Sequence, residues 1–213
     1  MATHLEIKSS FLENLMGGKV CLHPAGTMFG LTCHPFLGEA YARLYEAKGR
    51  PADKQTLFLV SDYSKLGSVL EHLPRKWDEA LEQIWPHHLT VVWNTSSEFR
   101  RRCSRVGETV GVRVPRFESS WFADALCAVD FPIPSTSVNV SGRPTITDRT
   151  ELKQFCLSRD IWVPQNFSDQ PLNNTEAQVP STIIRIVDED RFELLRDGAY
   201  SASGLIKRGF ERL

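Results

Sequence analysis

Small polar side chains are concentrated in residues 134–145, which read Pro-Ser-Thr-Ser-Val-Asn-Val-Ser-Gly-Arg-Pro-Thr. Their hydroxyl and amide groups are hydrogen-bond donors and acceptors of the kind that bind a phosphate or a ribose. Gly142 and Pro144 turn the chain without adding bulk, which predicts a loop leaving a strand. In an extended backbone Ser137 and Asn139 would point to the same side, where the neighbouring valines offer no hydrogen-bond partner. An ordinary turn is the alternative for this stretch taken alone.

Cationic side chains occur at three other points that would suit an anionic ligand. Lys48 and Arg50 flank a glycine at the end of a helical pattern, which predicts either a phosphate clamp or simple complementation of the helix dipole. Arg113 lies in a strand-like segment, 109–116, where a buried charge is costly unless an anion faces it. Arg196 lies near the end of a predicted hairpin and would reach either a phosphate or a neighbouring carboxylate.

The elements that must position these residues alternate between helical and strand patterns along the chain. Apolar spacing of three and four residues predicts helices at 4–16, 36–47, 66–73, 74–85, 121–129 and 149–158. Short apolar, β-branched runs predict strands at 19–22, 57–60, 89–93, 109–116, 131–133 and 183–187, the last pairing with 192–199 as a hairpin. Residues 23–31 are predicted to be irregular, and residues 162–179 to form an excursion or lid. Loops at strand ends are where α/β sheets hold their ligands.

Composition narrows the class of protein. With 213 residues, of which 41% are hydrophobic, the chain is expected to form one domain spanning 1–213. Its 25 basic and 26 acidic residues are balanced, so overall charge does not point to nucleic acid or a membrane surface. Five cysteines without CxxC spacing indicate neither a disulfide framework nor a zinc ribbon. The start of the sequence resembles neither a secretory signal nor a membrane span, so a cytoplasmic protein is expected.

Six short motifs, in order and at similar spacing, resemble those of the YrdC-like threonylcarbamoyl-AMP synthase family in its short form. They are Pro24-Ala25-Gly26-Thr27-Met28-Phe29-Gly30-Leu31, Lys48-Gly49-Arg50-Pro51, Trp85-Pro86-His87-His88-Leu89-Thr90, Val112-Arg113-Val114-Pro115, Ser135-Thr136-Ser137-Val138-Asn139-Val140-Ser141-Gly142, and Pro180-Ser181-Thr182 before Leu195-Arg196-Asp197-Gly198. The resemblance covers most of the chain. It implies a single α/β (α+β) domain in which a twisted, mixed, open sheet with flanking helices forms a concave cationic cleft.

The resemblance also implies a reaction and a set of substrates. L-threonine, bicarbonate and ATP, with Mg²⁺, would be condensed into threonylcarbamoyl-AMP and pyrophosphate for the N6-threonylcarbamoylation of adenosine 37 of tRNA. The tRNA and the threonylcarbamoyl transferase complex are the further partners implied. Carried over by motif, the site residues are Lys48 and Arg50 as catalytic groups, then Ser137, Asn139, Ser181 and Arg196 with them for ATP, and Thr27, Phe29 and Arg113 for threonine. No metal-ligating side chain is implied.

Departures from the family pattern leave two alternatives open. Ala25 and Phe29 stand where relatives usually carry hydroxyl side chains, so a carbamoyl-adenylate enzyme with another acceptor is one of them. A non-catalytic relative that holds tRNA or double-stranded RNA in the same basic concavity is the other. His87 and His88 replace small turn residues, and this adjacent pair is predicted to be a solvent-facing loop feature rather than a metal site.

Overall fold

Strands from both halves of the sequence form one mixed sheet. The computed structural model describes residues 2–25, 28–51, 54–117, 120–165, 167 and 179–213. Within them, nine strands lie in the order β1-β2-β6-β3-β5-β4-β7-β8-β9. Their bounds are β1 Cys21–Pro24, β2 Phe29–Thr32, β3 Leu57–Leu59, β4 Leu89–Asn94, β5 Thr109–Arg113, β6 Ile133–Ser137, β7 Thr182–Ile186, β8 Arg191–Arg196 and β9 Glu211–Arg212. The β3/β5, β4/β7 and β8/β9 pairs are parallel and the others antiparallel, so the expected mixed α/β sheet is confirmed.

Helices flank this sheet. They are α1 His4–Met16, α2 Gly38–Lys48, α3 Arg75–Ile84, α4 Ser97–Arg102, α5 Trp121–Ala128, α6 Arg149–Leu157 and α7 Ser203–Ile206. The first begins with a capping box, in which the Thr3 hydroxyl accepts from the Glu6 amide and the Glu6 carboxylate accepts from the Thr3 amide. The second is capped by Gly49, whose φ of 54° is left-handed and favours glycine, and after this turn the Arg50 amide donates to the Tyr45 carbonyl of the helix at 2.9 Å.

Two apolar clusters cover opposite faces of the sheet. Phe58 belongs to the larger cluster and Leu59 to the smaller one, and successive residues of a strand point to opposite faces. In the smaller cluster, Phe11 of α1 packs against Trp121 and Phe122 of α5, with ring centroids 5.2 and 5.5 Å apart. The sheet is therefore covered on both sides, which leaves strand ends and edges to form a binding site.

Three predictions about local structure were wrong. Residues 63–68 form a 3₁₀ helix, where a longer helix was expected over 66–73. Residues 23–31 were expected to be irregular, but β1 extends to Pro24, and β2 starts at Phe29 and pairs with both β1 and β6. Strand β6 extends to Ser137, so the first part of the polar stretch is sheet and not loop, because its pairing with β2 and β3 overrides the turn preference of its serines. Most of the excursion expected at 162–179 lies outside the described residues.

Candidate nucleotide and amino-acid site

A cavity of about 250 Å³ opens where strands β2, β6 and β7 bring the predicted motifs together. Three arginines contribute to its lining, Arg50, Arg113 and Arg196, and its described lining includes no aspartate or glutamate. The remaining lining residues are Ala25, Met28, Phe29, Gly30, Gln55, Thr56, Leu57, Ser135, Thr136, Ser137, Pro180, Ser181 and Ile183. Three guanidinium groups without a carboxylate among the described lining residues make this cavity suited to an anionic ligand.

Beside this arginine cavity, Lys48 holds the polar loop in place. Its side chain is only 1% exposed. The Lys48 ammonium donates to the carbonyl oxygen of Ser137, to that of Asn139 at 3.1 Å and to Asn139 Oδ1 at 2.8 Å. The Lys48 carbonyl in turn accepts from the Ser141 amide at 2.7 Å. We call Lys48, Ser137 and Asn139 the lysine-loop cluster. Lys48 and Asn139 are not among the described residues that line the cavity.

The hydrogen bonds of the lysine-loop cluster correct one expectation. Ser137 and Asn139 were expected to need partners from a ligand, but the Ser137 hydroxyl donates to Asn139 Oδ1 at 2.7 Å. The Asn139 amide nitrogen donates to the Arg143 carbonyl at 2.5 Å. Burial, and after it the nearby charge of Arg50, lower the pKa of Lys48 to about 7. The three acceptor oxygens oppose this shift, because an ammonium group has one hydrogen for each of them.

Arg113 presents the opposite situation. It is 5% exposed, and its Nη2 lies 3.5 Å from the Ala25 carbonyl, while its buried Nε finds no hydrogen-bond acceptor among the described residues. Burial, and after it the charge of Arg196, lower the pKa of Arg113 to about 10. The anion expected to face Arg113 is not supplied by any described side chain of the cavity lining, whose other charged residues are the cations Arg50 and Arg196. A buried guanidinium with an unused donor is a ready partner for a carboxylate or phosphate.

Arg196 closes the other side of the cavity from strand β8. Its Nε donates to the Ser181 carbonyl at 2.9 Å and its Nη2 to the Ser181 hydroxyl at 3.1 Å. The Ser181 hydroxyl also lies 3.0 Å from the Thr90 hydroxyl, inside the sheet. The neighbouring carboxylate of Glu193 pairs with Arg185 instead, at 2.9 Å. Protein contacts therefore orient the Arg196 guanidinium and the Ser181 hydroxyl toward the cavity shared with the polar loop.

Arg50 reaches the cavity from the turn after α2. Its Nε donates to the Lys54 carbonyl at 3.0 Å and its Nη2 donates to the Gln55 carbonyl. These two backbone contacts fix the guanidinium plane, whose carbon lies 5.8 Å from the centroid of the Tyr45 ring. Of the predicted pair, Arg50 lines the cavity and Lys48 supports the loop beside it.

Apolar side chains form one wall of the cavity. Phe29 lines it together with Ala25 and Met28, and the Phe29 ring packs on Phe167 with centroids 4.9 Å apart. Thr27, predicted as a threonine-binding residue, lies outside the described residues. A ligand group that lies against this wall therefore contacts apolar side-chain atoms rather than hydroxyl groups.

His23 and Ser135 form a polar pair next to the cavity, and sequence reasoning passed over His23. Its Nε2 lies 3.1 Å from the Ser135 hydroxyl, and its Nδ1 lies 2.8 Å from the Pro24 carbonyl. His23 is fully buried and stacks on Phe122 with ring centroids 4.3 Å apart. A histidine inside a four-residue apolar strand was the available signal, because such a position is costly unless both ring nitrogens find partners.

His87 and His88 are half-buried rather than solvent-facing. The His87 ring meets Tyr200 edge-on, with centroids 5.0 Å apart, and its Nδ1 accepts from the His88 amide at 2.8 Å. In the part of the chain that the structure describes, no group of three histidine, cysteine or acidic residues is placed to hold a metal ion. No helix among these residues is long and apolar enough to cross a membrane.

Comparison with known proteins supports the motif resemblance. The family model Sua5_yciO_yrdC, described as telomere recombination, matches residues 13–198. A threonylcarbamoyl-AMP synthase of Halorhodospira halophila is 32% identical over 152 residues, which cover 70% of this chain and 78% of that protein. A threonylcarbamoyl-AMP synthase of Pyrococcus abyssi is 31% identical over 143 residues, which cover 67% of this chain but only 41% of that protein.

A solved structure shows the same fold. Pyrococcus abyssi Sua5 in complex with L-threonine superposes with a TM-score of 0.78 at 24% identity. The superposition covers 98% of this chain and 58% of the Sua5 chain. This chain thus spans somewhat over half the length of its archaeal structural relative.

Proposed function

The chain belongs to the Sua5/YciO/YrdC family, and on that premise we propose that it condenses L-threonine, bicarbonate and ATP into threonylcarbamoyl-AMP with release of pyrophosphate. The observation that carries this proposal is the arginine cavity, where Arg50, Arg113 and Arg196 converge without a carboxylate among the described lining residues. The names of the relatives, and the L-threonine bound in one of them, support it. Such a site suits a reaction in which every substrate carries a negatively charged group.

The chemistry requires two steps. The threonine amine first combines with bicarbonate to form a carbamate, with loss of water. A carbamate oxygen then attacks the α-phosphorus of ATP, so that a phosphorus–oxygen bond forms as the bond to pyrophosphate breaks. Negative charge spreads over the phosphate oxygens in this second step, and fixed cations stabilise it without having to reorganise. Positioning and charge supply the catalysis, and no covalent nucleophile is needed.

Each part of the cavity has a role in this proposal. Arg50 and Arg196, whose planes are held by backbone contacts, bind the phosphates. Arg113, with its unused Nε, binds the threonine carboxylate, and Phe29 packs against the threonine side chain. Ser137 and Ser181 line the nucleotide side, while Lys48 and Asn139 act through the loop geometry that they hold. Lys48 is thus a positioning residue whose charge also adds to the cationic field.

We propose that Mg²⁺ enters this site with ATP. The described cavity lining offers no carboxylate to hold the ion, and Mg²⁺ is commonly bound through substrate phosphates with retained waters. When bound, it would neutralise part of the phosphate charge that develops during transfer.

The chemistry of threonylcarbamoyl-AMP, the product of the proposed reaction, indicates two macromolecular partners. Threonylcarbamoyl-AMP is a mixed anhydride of a carbamic acid and a phosphate, so its role is to donate the threonylcarbamoyl group. We propose that a threonylcarbamoyl transferase complex acting on adenosine 37 of tRNA consumes it.

The apolar wall favours a second candidate. Ala25 and Phe29 present no hydroxyl to the ligand, so an amine other than threonine is the acceptor in this alternative. The adenylation chemistry and the arginine roles are unchanged, and only the amino-acid substrate differs.

One assay tests both candidates. Pyrophosphate release is measured with ATP, Mg²⁺ and bicarbonate while each amino acid is supplied in turn, and the adenylate is identified by mass spectrometry. We expect release to require all components and to be fastest with L-threonine. A faster reaction with another amine establishes the second candidate. If release does not depend on any amino acid and ATP does not bind, an RNA-holding relative becomes the better account.

A further inference from the structure

Ser135 lines the arginine cavity and contacts the buried His23 behind it, but this pair has no role in the proposal above. His23 lies on β1 and Ser135 on β6, with strand β2 between them. Their side chains meet over Gly30, where an added Cβ would lie 2.7 Å from His23 Nε2 and 3.1 Å from the Ser135 hydroxyl. Both Gly30 and Ser135 line the cavity. Because Gly30 of β2 has no side chain, His23 of β1 can reach across β2 and contact Ser135 of β6, which lines the cavity.

The hydrogen bonds of this pair determine the direction of the Ser135 hydroxyl. The Pro24 carbonyl can only accept, so His23 Nδ1 carries a hydrogen and donates it over 2.8 Å. In a neutral imidazole, Nε2 is then an acceptor, and the Ser135 hydroxyl must donate to it over 3.1 Å. Its single hydrogen is used in this bond, so Ser135 offers only lone pairs to the cavity.

Electrostatics keep the imidazole neutral. Burial lowers the pKa of His23 to about 3, an effect that Arg113 increases and the bond to Pro24 partly opposes. His23 is consequently a poor general base for Ser135, because an imidazolium would be buried next to the Arg113 guanidinium. A fixed acceptor, rather than an activated nucleophile, is the chemistry that this pair supports.

An acceptor inside an anion-binding cavity selects a particular part of the ligand. Phosphate and carboxylate oxygens are themselves acceptors and are repelled by such a lone pair. On the proposed function, the threonine and ribose hydroxyls also present hydrogens, but the amino-acid nitrogen is the donor closest to the substrate carboxylate, and it presents a hydrogen first as an amine and then as a carbamate N–H. The nitrogen is attached to the same carbon as the carboxylate, which the nearby Arg113 would bind.

We propose that His23 is a positioning residue that holds the Ser135 hydroxyl as an acceptor for the α-nitrogen of the amino-acid substrate. This inference rests on the proposed function. It assigns His23 to orientation of the hydroxyl and Ser135 to the substrate contact itself. Gly30 supplies the space in which they meet.

The test compares KM for the amino acid with KM for ATP in pyrophosphate release. His23→Leu removes the acceptor from the ring position, Ser135→Ala removes the hydroxyl, and His23→Gln retains an acceptor oxygen near the position of Nε2. We expect His23→Leu and Ser135→Ala each to raise KM for L-threonine about tenfold, the size expected for the loss of one hydrogen bond. KM for ATP should stay within about twofold, and His23→Gln should restore most of the affinity. The double variant, His23→Leu with Ser135→Ala, should raise KM for L-threonine no further than either single variant, because both substitutions remove the same contact.

Thr32→Val is the matched control. Thr32 is a buried residue of strand β2 whose hydroxyl finds no hydrogen-bond partner among the described residues, so its loss should leave both KM values unchanged.

A parent-like KM for L-threonine in His23→Leu, or a raised KM for ATP instead, overturns the inference. If His23→Leu does not fold, Ser135→Ala decides together with ¹⁵N spectra of the wild-type protein. These should show His23 protonated at Nδ1 only, and protonation at Nε2 overturns the inference. If the wild-type protein releases no pyrophosphate with any amino acid, the proposed function itself has failed.

Discussion

Lys48, beside the arginine cavity, and Arg113, in its lining, are both buried cations, yet their surroundings differ in kind. In the lysine-loop cluster, three protein oxygens meet the three hydrogens of the Lys48 ammonium. In the arginine cavity, Arg113 keeps a buried Nε without an acceptor among the described residues, and the charge of Arg196 lowers its pKa further. Protein atoms therefore satisfy the hydrogen bonds of Lys48, whereas the Arg113 Nε has no acceptor among the described residues. A satisfied buried charge indicates a structural role, and an unsatisfied one indicates a place for a ligand.

The largest expected effect is that of Arg113→Met on catalysis. Loss of one partner from a buried charge pair costs about 2–5 kcal/mol, so kcat/KM for L-threonine should fall at least about thirtyfold. Stability should be unchanged or higher, because the substitution removes a desolvated charge that lacks a partner. Pyrophosphate release and thermal melting measure the two effects. A variant with parent activity, or one that melts well below the parent, contradicts the distinction between the two regions.

Lys48→Met should act mainly on stability. Three acceptor oxygens lose their donor, and the relief of lysine desolvation offsets part of the cost, so we expect a loss of about 2 kcal/mol in the free energy of unfolding. Urea denaturation measures this loss. Activity should fall in parallel as the Ser137–Asn139 loop loosens. Unchanged stability with lost activity would instead assign Lys48 directly to the phosphates.

Arg196→Met should weaken ATP binding. One hydrogen bond from a charged donor is worth about 1.5–3 kcal/mol, which corresponds to a rise in Kd of about ten- to a hundredfold. Titration calorimetry with ATP and Mg²⁺ measures this change, and Asn139→Ala should give a smaller one because Asn139 acts through the loop. If both variants bind ATP as tightly as the parent, the nucleotide lies elsewhere.

The neutral His23 predicts a specific pH dependence of stability. Its folded-state pKa of about 3 lies below the ordinary value of 6.5, so the unfolded chain binds the proton first as pH falls. The folded state therefore loses about 1.4 kcal/mol per pH unit through this residue between about pH 6.5 and pH 3, and the full contribution is present above that range. Urea denaturation at pH 7.5 and 5.5 should show a smaller loss in His23→Gln than in the parent. Equal losses would contradict a buried neutral imidazole.

The smallest effect is expected from Arg185→Met, the matched control for Arg196. Both arginines lie in the β7–β8 hairpin, but Arg185 forms a half-exposed ion pair with Glu193 at 2.9 Å. Exposed pairs contribute about 0.2–1 kcal/mol. ATP affinity and pyrophosphate release should match the parent, and a lost activity here would mean that hairpin integrity, not the guanidinium of Arg196, controls binding.

Sequence patterns predicted which residues come together better than they predicted where the strands and helices begin and end. The arginines, Ser137 and Ser181 do meet at one cavity, and the helices at 4–16 and 149–158 are observed within one residue of their expected ends. Strand β2 was missed because its glycine and neighbouring proline indicate a turn locally, whereas pairing with β1 and β6 stabilises an extended backbone. Ser137 and Asn139 were expected to find their hydrogen-bond partners on a ligand. No local pattern shows that Lys48, about ninety positions earlier in the chain, lies against them.

The sequence by itself determined the composition of the binding groups, since residue type sets charge, donors and acceptors, and the order of motifs identified the family. Only the tertiary structure decided which of these groups the protein already satisfies. Hydrogen-bond partners of buried side chains come from strands and loops distant along the chain, as His23 finds Ser135 across Gly30. Lys48 and Arg113 look alike as buried cations in the sequence, and their roles separate because packing supplies oxygens to one and leaves the Nε of the other without an acceptor among the described residues.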